Sequence, residues 1–289
     1  MASKKETEVA AVKDSAQLPV GISMEDLMAD AGAGIDSMGL DDVAVPYLYV
    51  LQANSPQVNE DHDAYIKGAR PGMFYNNVAE EVYDGRETGI TVIPCAYERK
   101  YVEWVDRDSG GGYVADHAID SDILSECSPN EKGIPVLKNG HLIVETAYHY
   151  VYMKNPLTGV WEEIIIPMKS TFLKKSRRWN KTLVSTLIPN TPKRAPRWLY
   201  PYQLKTIKES KGDNTWSNID ISRLGEMVTA EQYRSAKAFA ELFSQVAVKK
   251  ATETNTGGLA ERYDEGSSIE HESEGMKEVR KGDRNEMPF

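Results

Sequence analysis

The residues of this chain best suited to chemistry are cations and aromatic rings placed close together. Between Lys169 and Lys208 stand Lys169, Lys174, Lys175, Arg177, Arg178, Lys181, Lys193, Arg194, Arg197, Lys205 and Lys208, without one Asp or Glu, in a protein of formal charge −10. Trp179, Trp198, Tyr200 and Tyr202 are interleaved with them. Cations follow a line of phosphates and aromatic faces stack on bases, so the combination suits a polyanion that carries flat rings. Single-stranded nucleic acid is such a partner.

The element that must carry these cations is a helix over 171–187, with Ser170 or Thr171 as its cap and Pro189 as its stop. At roughly 100° per residue, Phe172, Leu173, Ser176, Trp179, Asn180, Leu183, Val184 and Leu187 fall on one side. Lys174, Lys175, Arg177, Arg178 and Lys181 fall on the other. Trp179 is therefore expected in the core and the cations at the surface. Like charges three and four residues apart on a helix repel, a cost that bound phosphates would offset.

Two further groups are expected on the same surface. Arg99, Lys100, Tyr101 and Trp104 lie on a β-rich stretch at 90–106, and Lys193, Arg194, Arg197 and Trp198 lie on the segment leading out of the helix. Arginine with tryptophan suits phosphate contact and ring stacking. In ETAYHYVYMK, strand alternation puts Tyr148, Tyr150 and Tyr152 on one face, at steps of roughly 7 Å, as a stacking platform or as a core face whose hydroxyls need partners. Trp161, Trp198 and Trp216 are assigned mainly to packing.

Other chemistries find little support. Cys95 and Cys127 form no C-x-x-C or Cys/His cluster and the histidines are scattered, which implies neither a disulfide framework nor a metal site. Gly110-Gly111-Gly112 is not followed by the Lys and Ser or Thr of a phosphate loop, so it reads as a loop tip and no cofactor is implied. No Ser/His/Asp or Cys/His arrangement is legible, and the carboxylates are not clustered as a nuclease or polymerase metal site requires; the chain is not expected to be an enzyme. A strand-annealing recombinase would carry the same basic and aromatic surface and is the alternative. No apolar run reaches the length of a membrane span and no signal peptide is legible, so a cytoplasmic location is expected.

The positioning elements follow from the pattern. Strands are expected at 90–106, 143–154 and 160–168, then the helix, then strands at 196–209 and 214–222, with Pro94 marking a bend. Strand-like alternation also marks Val45, Tyr47, Tyr49 and Leu51, Asn139-Gly140 marks a hairpin, and 110–135 reads as an irregular insertion with a short helix. A last helix is expected over Ala230–Lys249, capped by Thr229, with Tyr233, Ala236, Phe239, Ala240 and Phe243 as its buried stripe. Three strands, a helix and two strands is the order of the OB-fold, a five-stranded Greek-key barrel, which makes the expected class mainly β with helices (α+β). Around that domain, 45–248, the arms 1–44 and 249–289 are low in apolar residues and expected to be disordered; residues 1–60 carry a net −7 and 249–289 a net −3.

The chain finishes Asp283-Arg284-Asn285-Glu286-Met287-Pro288-Phe289. This resembles the tail tip of bacterial and phage single-stranded DNA-binding proteins, acids followed by a small apolar group ending in Pro-Phe, although Lys281 and Arg284 interrupt the acids. The stretches VPYLYVLQ, VIPCAYERKYVEW and STFLKKSRRWN are similar to the phage-encoded proteins of that class. The resemblance implies a non-catalytic OB-fold protein that coats single strands of DNA, with RNA left open as a partner, during phage replication, recombination or repair in the host cytoplasm. It also implies that Glu286, Met287, Pro288 and Phe289 dock onto replication or recombination proteins. A homo-oligomer is compatible with this reading.

Overall fold

The structure, a computed structural model, describes residues 23–30, 33–34, 45–106 and 109–255. The chain divides into two compact units, Met1–Val43 and Ala44–Phe289. The first contains α1 (Met24–Ala29), started by a capping box in which Asp26 N–H donates to Ser23 Oγ and Ser23 N–H donates to the Asp26 carboxylate.

The second unit comprises, in chain order, β1 (Leu48–Val50), β2 (Phe74–Asn76), β3 (Glu81–Tyr83), β4 (Ile90–Val105), β5 (Gly112–Ala118), β6 (Ser128–Pro129), β7 (Pro135–Val136), β8 (Leu142–Lys154), β9 (Trp161–Lys169), α2 (Phe172–Ser185), β10 (Tyr202–Lys211), β11 (Asn214–Arg223) and α3 (Ala230–Asn255). It is mainly β, a curled antiparallel sheet that makes a barrel-like α+β fold.

β4 organises that sheet. One edge pairs with β8 from Thr91 opposite Lys154 to Trp104 opposite Leu142. The other edge is shared, with β10 at Ile90–Val92 and β5 at Lys100–Val105. Pro94 has no N–H to give the ladder, and the register shifts between Pro94 and Ala96, which bends the strand where the proline led one to expect it. β8 continues to β9, and β10 to β11.

Between β9 and β11 no ladder forms among the described residues; the segment containing β1 stands there instead. Ile165 N–H donates to Pro46 O at 2.9 Å and Tyr47 makes a parallel bridge to Ile165, while the Gln52 amide clamps the backbone of Ser217 through two hydrogen bonds of 2.9 Å. β1 also pairs with β2, and β2 with β3, as a small separate sheet.

One apolar core lies inside the curl, built from Leu48, Phe74, Val92, Val151, Met153, Ile164, Met168 and Leu204, and α2 closes one end of it. Trp179 is the anchor, 2% exposed, stacked on His149 (centroids 4.6 Å apart, planes at 16°) and edge-on to Tyr202. The helical period placed Trp179 and Leu183 inside correctly. Val184 and Leu187, expected on the same side, are exposed: Val184 stands about 100° round the helix from the buried Leu183, and Leu187 lies past the helix end at Ser185.

Other boundaries differ for local reasons. Neither Ser170 nor Thr171 gives α2 a side-chain cap: Ser170 sits at φ +52° and Thr171 is already helical. The strand expected from 196 starts only at Tyr202, after a 3-10 turn at Arg197–Leu199, because Pro196 and Pro201 donate no ladder hydrogen bonds. The insertion at 110–135 contains β5 beside its 3-10 helix, Asp122–Glu126. The Asn-Gly hairpin forms, with Gly140 at φ +89° and Val136 paired to Leu142. α3 runs to Asn255 rather than Lys249, and Thr229 with Gln232 forms its capping box. Among the described residues no helix is long and apolar enough to cross a membrane.

Candidate nucleic-acid interface

α2 presents Lys174, Arg178 and Lys181 to solvent. The chain then folds back on the helix end: Ile188 N–H donates to Lys193 O, Ala195 N–H donates to Thr186 O, and Leu187 bridges to Arg194. That return keeps exposed Lys193 and Arg194 beside the C-terminal end of α2. None of these cations forms an ion pair among the described residues. Together they make a patch of uncompensated positive charge in an acidic protein.

The remaining predicted cations are engaged within the fold. Lys175 Nζ lies 3.0 Å from Glu209, on β10. Arg99 and Arg177 share the Glu145 carboxylate, each at 3.2 Å. Lys100 sits between Glu98 and Asp116 at 3.1 Å from each; burial disfavours its charge, but the two carboxylates outweigh burial and hold its pKa above the usual lysine value. Arg197 is half-buried, sharing Asn180 Oδ1 between its two terminal nitrogens, with its guanidinium 5.6 Å from the centre of the Tyr97 ring. Burial lowers its pKa.

Tyr148, Tyr150 and Tyr152 share the outer face of β8, as the strand period requires, but not its exposure. Tyr150 is 7% exposed: its hydroxyl donates to Glu98 at 3.0 Å, and the ring of Phe243, on α3, covers it at a centroid distance of 3.8 Å. Burial pushes its hydroxyl pKa well up. Tyr152 is half-buried and stacks on Trp161. Tyr148 lies with Lys100 Nζ 5.9 Å from its ring centre.

Of the other predicted rings, Trp104 is 6% exposed, edge-on to Tyr113, with Lys169 Nζ 4.6 Å from its ring centre. Tyr101 is half-buried on β4 between Glu145 and His117. Trp198 packs edge-on against Tyr233 of α3. α2 packs on the face of β8 that carries His149, and Tyr148, Tyr150 and Tyr152 alternate to the other face. Sequence reading gave Tyr47 and Tyr49 no role in a site, yet Tyr47 lies edge-on to Tyr148; their alternation marked a strand without telling which strand it joins.

No group of His, Cys, Asp and Glu among the described residues is arranged to hold a metal. The tightest titratable cluster is Glu103 with His117 at 2.8 Å and His141 at 2.6 Å. Burial raises the Glu103 pKa, but the hydrogen bonds to His141 and His117 outweigh it and leave the carboxyl below its ordinary range. The docking tip, Glu286, Met287, Pro288 and Phe289, lies outside the described residues.

No curated protein and no solved structure matches the chain. A family model described as Pam3 phage gp34-like protein matches residues 13–249, a span that includes every strand of the sheet and α2. The chain therefore belongs to the Pam3 phage gp34-like protein family, a phage-related family.

Proposed function

We propose that the protein binds single-stranded DNA without strong sequence preference, in a phage setting where exposed single strands need cover during replication or recombination. The observation that carries this reading is the uncompensated charge of Lys174, Arg178, Lys181, Lys193 and Arg194, exposed at one end of the sheet. Lys174 and Arg178 are spaced i,i+4 and Arg178 and Lys181 i,i+3, so each pair destabilises the free protein. Phosphates supply the missing counter-charge and release condensed cations when they bind.

The sheet supports the same reading. β4, β8, β9, α2, β10 and β11 follow the OB-fold order, and the pairings β4–β8, β8–β9, β10–β11 and β4–β10 are those such a barrel uses. This barrel is a modified one, with β1 occupying the seam that β9 and β11 would otherwise close. Because α2 plugs the barrel end, its cations carry the strand's path round that end as well as across the sheet. Partner docking through Glu286–Phe289 remains part of the proposal on the sequence resemblance.

The test replaces Lys174, Arg178 and Lys181 together by Gln. Affinity for single strands should fall, and the slope of log affinity against log salt should flatten by about 2, near 0.7 for each phosphate left without its cation. The unfolding temperature should hold or rise, since mutual repulsion has been removed. An unchanged salt slope would rule the α2 patch out as the DNA contact.

A further inference from the structure

We propose that the surface on which bases stack runs over β9 into the barrel seam, from Tyr148 on β8 to Tyr47 and Tyr49 beside and on β1, rather than along β8. The proposal rests on the DNA-binding reading above and names where on the protein the bases lie.

Along β8 the row is interrupted. Phe243 covers Tyr150, and Tyr152 is half-buried with its ring stacked on Trp161. Tyr148 has the ring of Tyr47 beside it instead, so the aromatic row leaves β8 at this point and continues over β9 to the seam.

Register brings that second set of rings into place. Tyr150 pairs with Ile165 and Tyr148 with Pro167 on β9, and the bridge from Ile165 to Tyr47 sets the β1 segment on the far side of β9. Leu48 is 2% exposed and Val50 packs on the core, so alternation turns Tyr47 and Tyr49 outward, where both are half-buried. Tyr47 and Tyr49 are stacked, centroids 6.1 Å apart with planes at 13°; Tyr47 and Tyr148 are 6.5 Å apart at 71°. These steps are nearly twice the rise of about 3.4 Å per nucleotide along a duplex strand, which suits a stretched single strand and not a stacked duplex. The turn between Tyr47 and Tyr148 bends the strand's path there.

The row is also fixed in advance. Asn77 holds Tyr47 from both sides, accepting from its N–H at Oδ1 (2.6 Å) and donating its own N–H to Tyr47 O (3.1 Å). These bonds fix the main chain that carries the Tyr47 ring, which lowers the ordering cost when a base stacks on it.

The experiment uses the full chain and a deoxythymidine homopolymer, followed by fluorescence or anisotropy titration. Tyr49→Ala and the pair Tyr47→Ala/Tyr49→Ala should weaken binding about five- to a hundredfold per ring, while the salt slope stays that of the parent. Tyr49→Phe, which keeps the ring and loses the hydroxyl, should bind like the parent. Circular dichroism and thermal unfolding separate loss of ring from loss of fold. If the double variant does not fold, Tyr49→Trp decides instead, its emission being quenched on addition of the homopolymer. Parent-level binding by Tyr49→Ala, or an unquenched Tyr49→Trp in a protein that still binds DNA, overturns the seam row and leaves the DNA-binding reading standing. Failure of the parent itself to bind overturns both.

Discussion

His149 shows most clearly how one residue ties the sheet to the helix. It is fully buried on β8, its Nε2 is 2.8 Å from Ser176 Oγ on α2, and its ring stacks on Trp179. Burial, with Arg197 nearby, drives its pKa well below the usual 6.5, so the native imidazole is neutral. The unfolded chain takes up that proton below about pH 6.5 and the native state does not, so this contribution to stability falls as the pH drops through that point. Unfolding temperatures measured between about pH 8 and pH 5 should decline for the parent, and His149→Gln should remove that share of the slope whatever its absolute stability. An identical slope in the variant would contradict a neutral buried His149. At the same scale, Trp179→Ala should cost about 3–5 kcal/mol in denaturant unfolding, since it empties the space between α2, His149 and Tyr202. Trp179 was legible because a helix period needs only neighbouring residues. The burial of Tyr150 was not, because Phe243 lies far along the chain and its approach is a tertiary fact.

Among elements, β4 and α2 could be read from the sequence nearly residue by residue. A long β-branched and aromatic run and an amphipathic period are strong local signals. β5 was missed because one face is solvated and its sequence, GYVADHA, mixes Asp, His and Ala with only two residues of strong β preference. The role of β1 was missed for another reason: its alternation announces a strand, but nothing local says that it fills a seam. The join between the small sheet and β10 is equally invisible in sequence and very tight. Thr206 N–H donates to Gly85 O at 2.7 Å and Thr206 Oγ1 donates to Gly72 O. A Cβ on Gly85 would run into the Gly72 carbonyl and the Thr206 side chain. Gly85→Ala should therefore cost about 1–3 kcal/mol, the usual penalty of overpacking, seen as a lower midpoint in urea unfolding. A midpoint equal to the parent's would mean that the junction is loose.

For the molecule as a whole, charge is distributed by segment. Residues 1–60 carry a net −7 and 249–289 a net −3, which together account for the full −10, so the intervening part is neutral and can present a basic face. Net charge alone would have argued against a nucleic-acid partner; its placement argues for one. The forty-residue basic stretch legible in the sequence divides between a charged end on α2 and cations engaged within the fold, and the aromatic seam near Tyr148 is a separate surface. A stretched strand that follows phosphate contacts at the first and stacks bases at the seam would bind better than a duplex, whose bases are already stacked. The most direct test is a titration of the parent protein with single-stranded DNA, duplex DNA and single-stranded RNA of equal length at two salt concentrations. Single-stranded DNA should bind tightest and lose affinity steeply as salt rises. Equal binding of the duplex, a preference for RNA, or an affinity indifferent to salt would contradict the account.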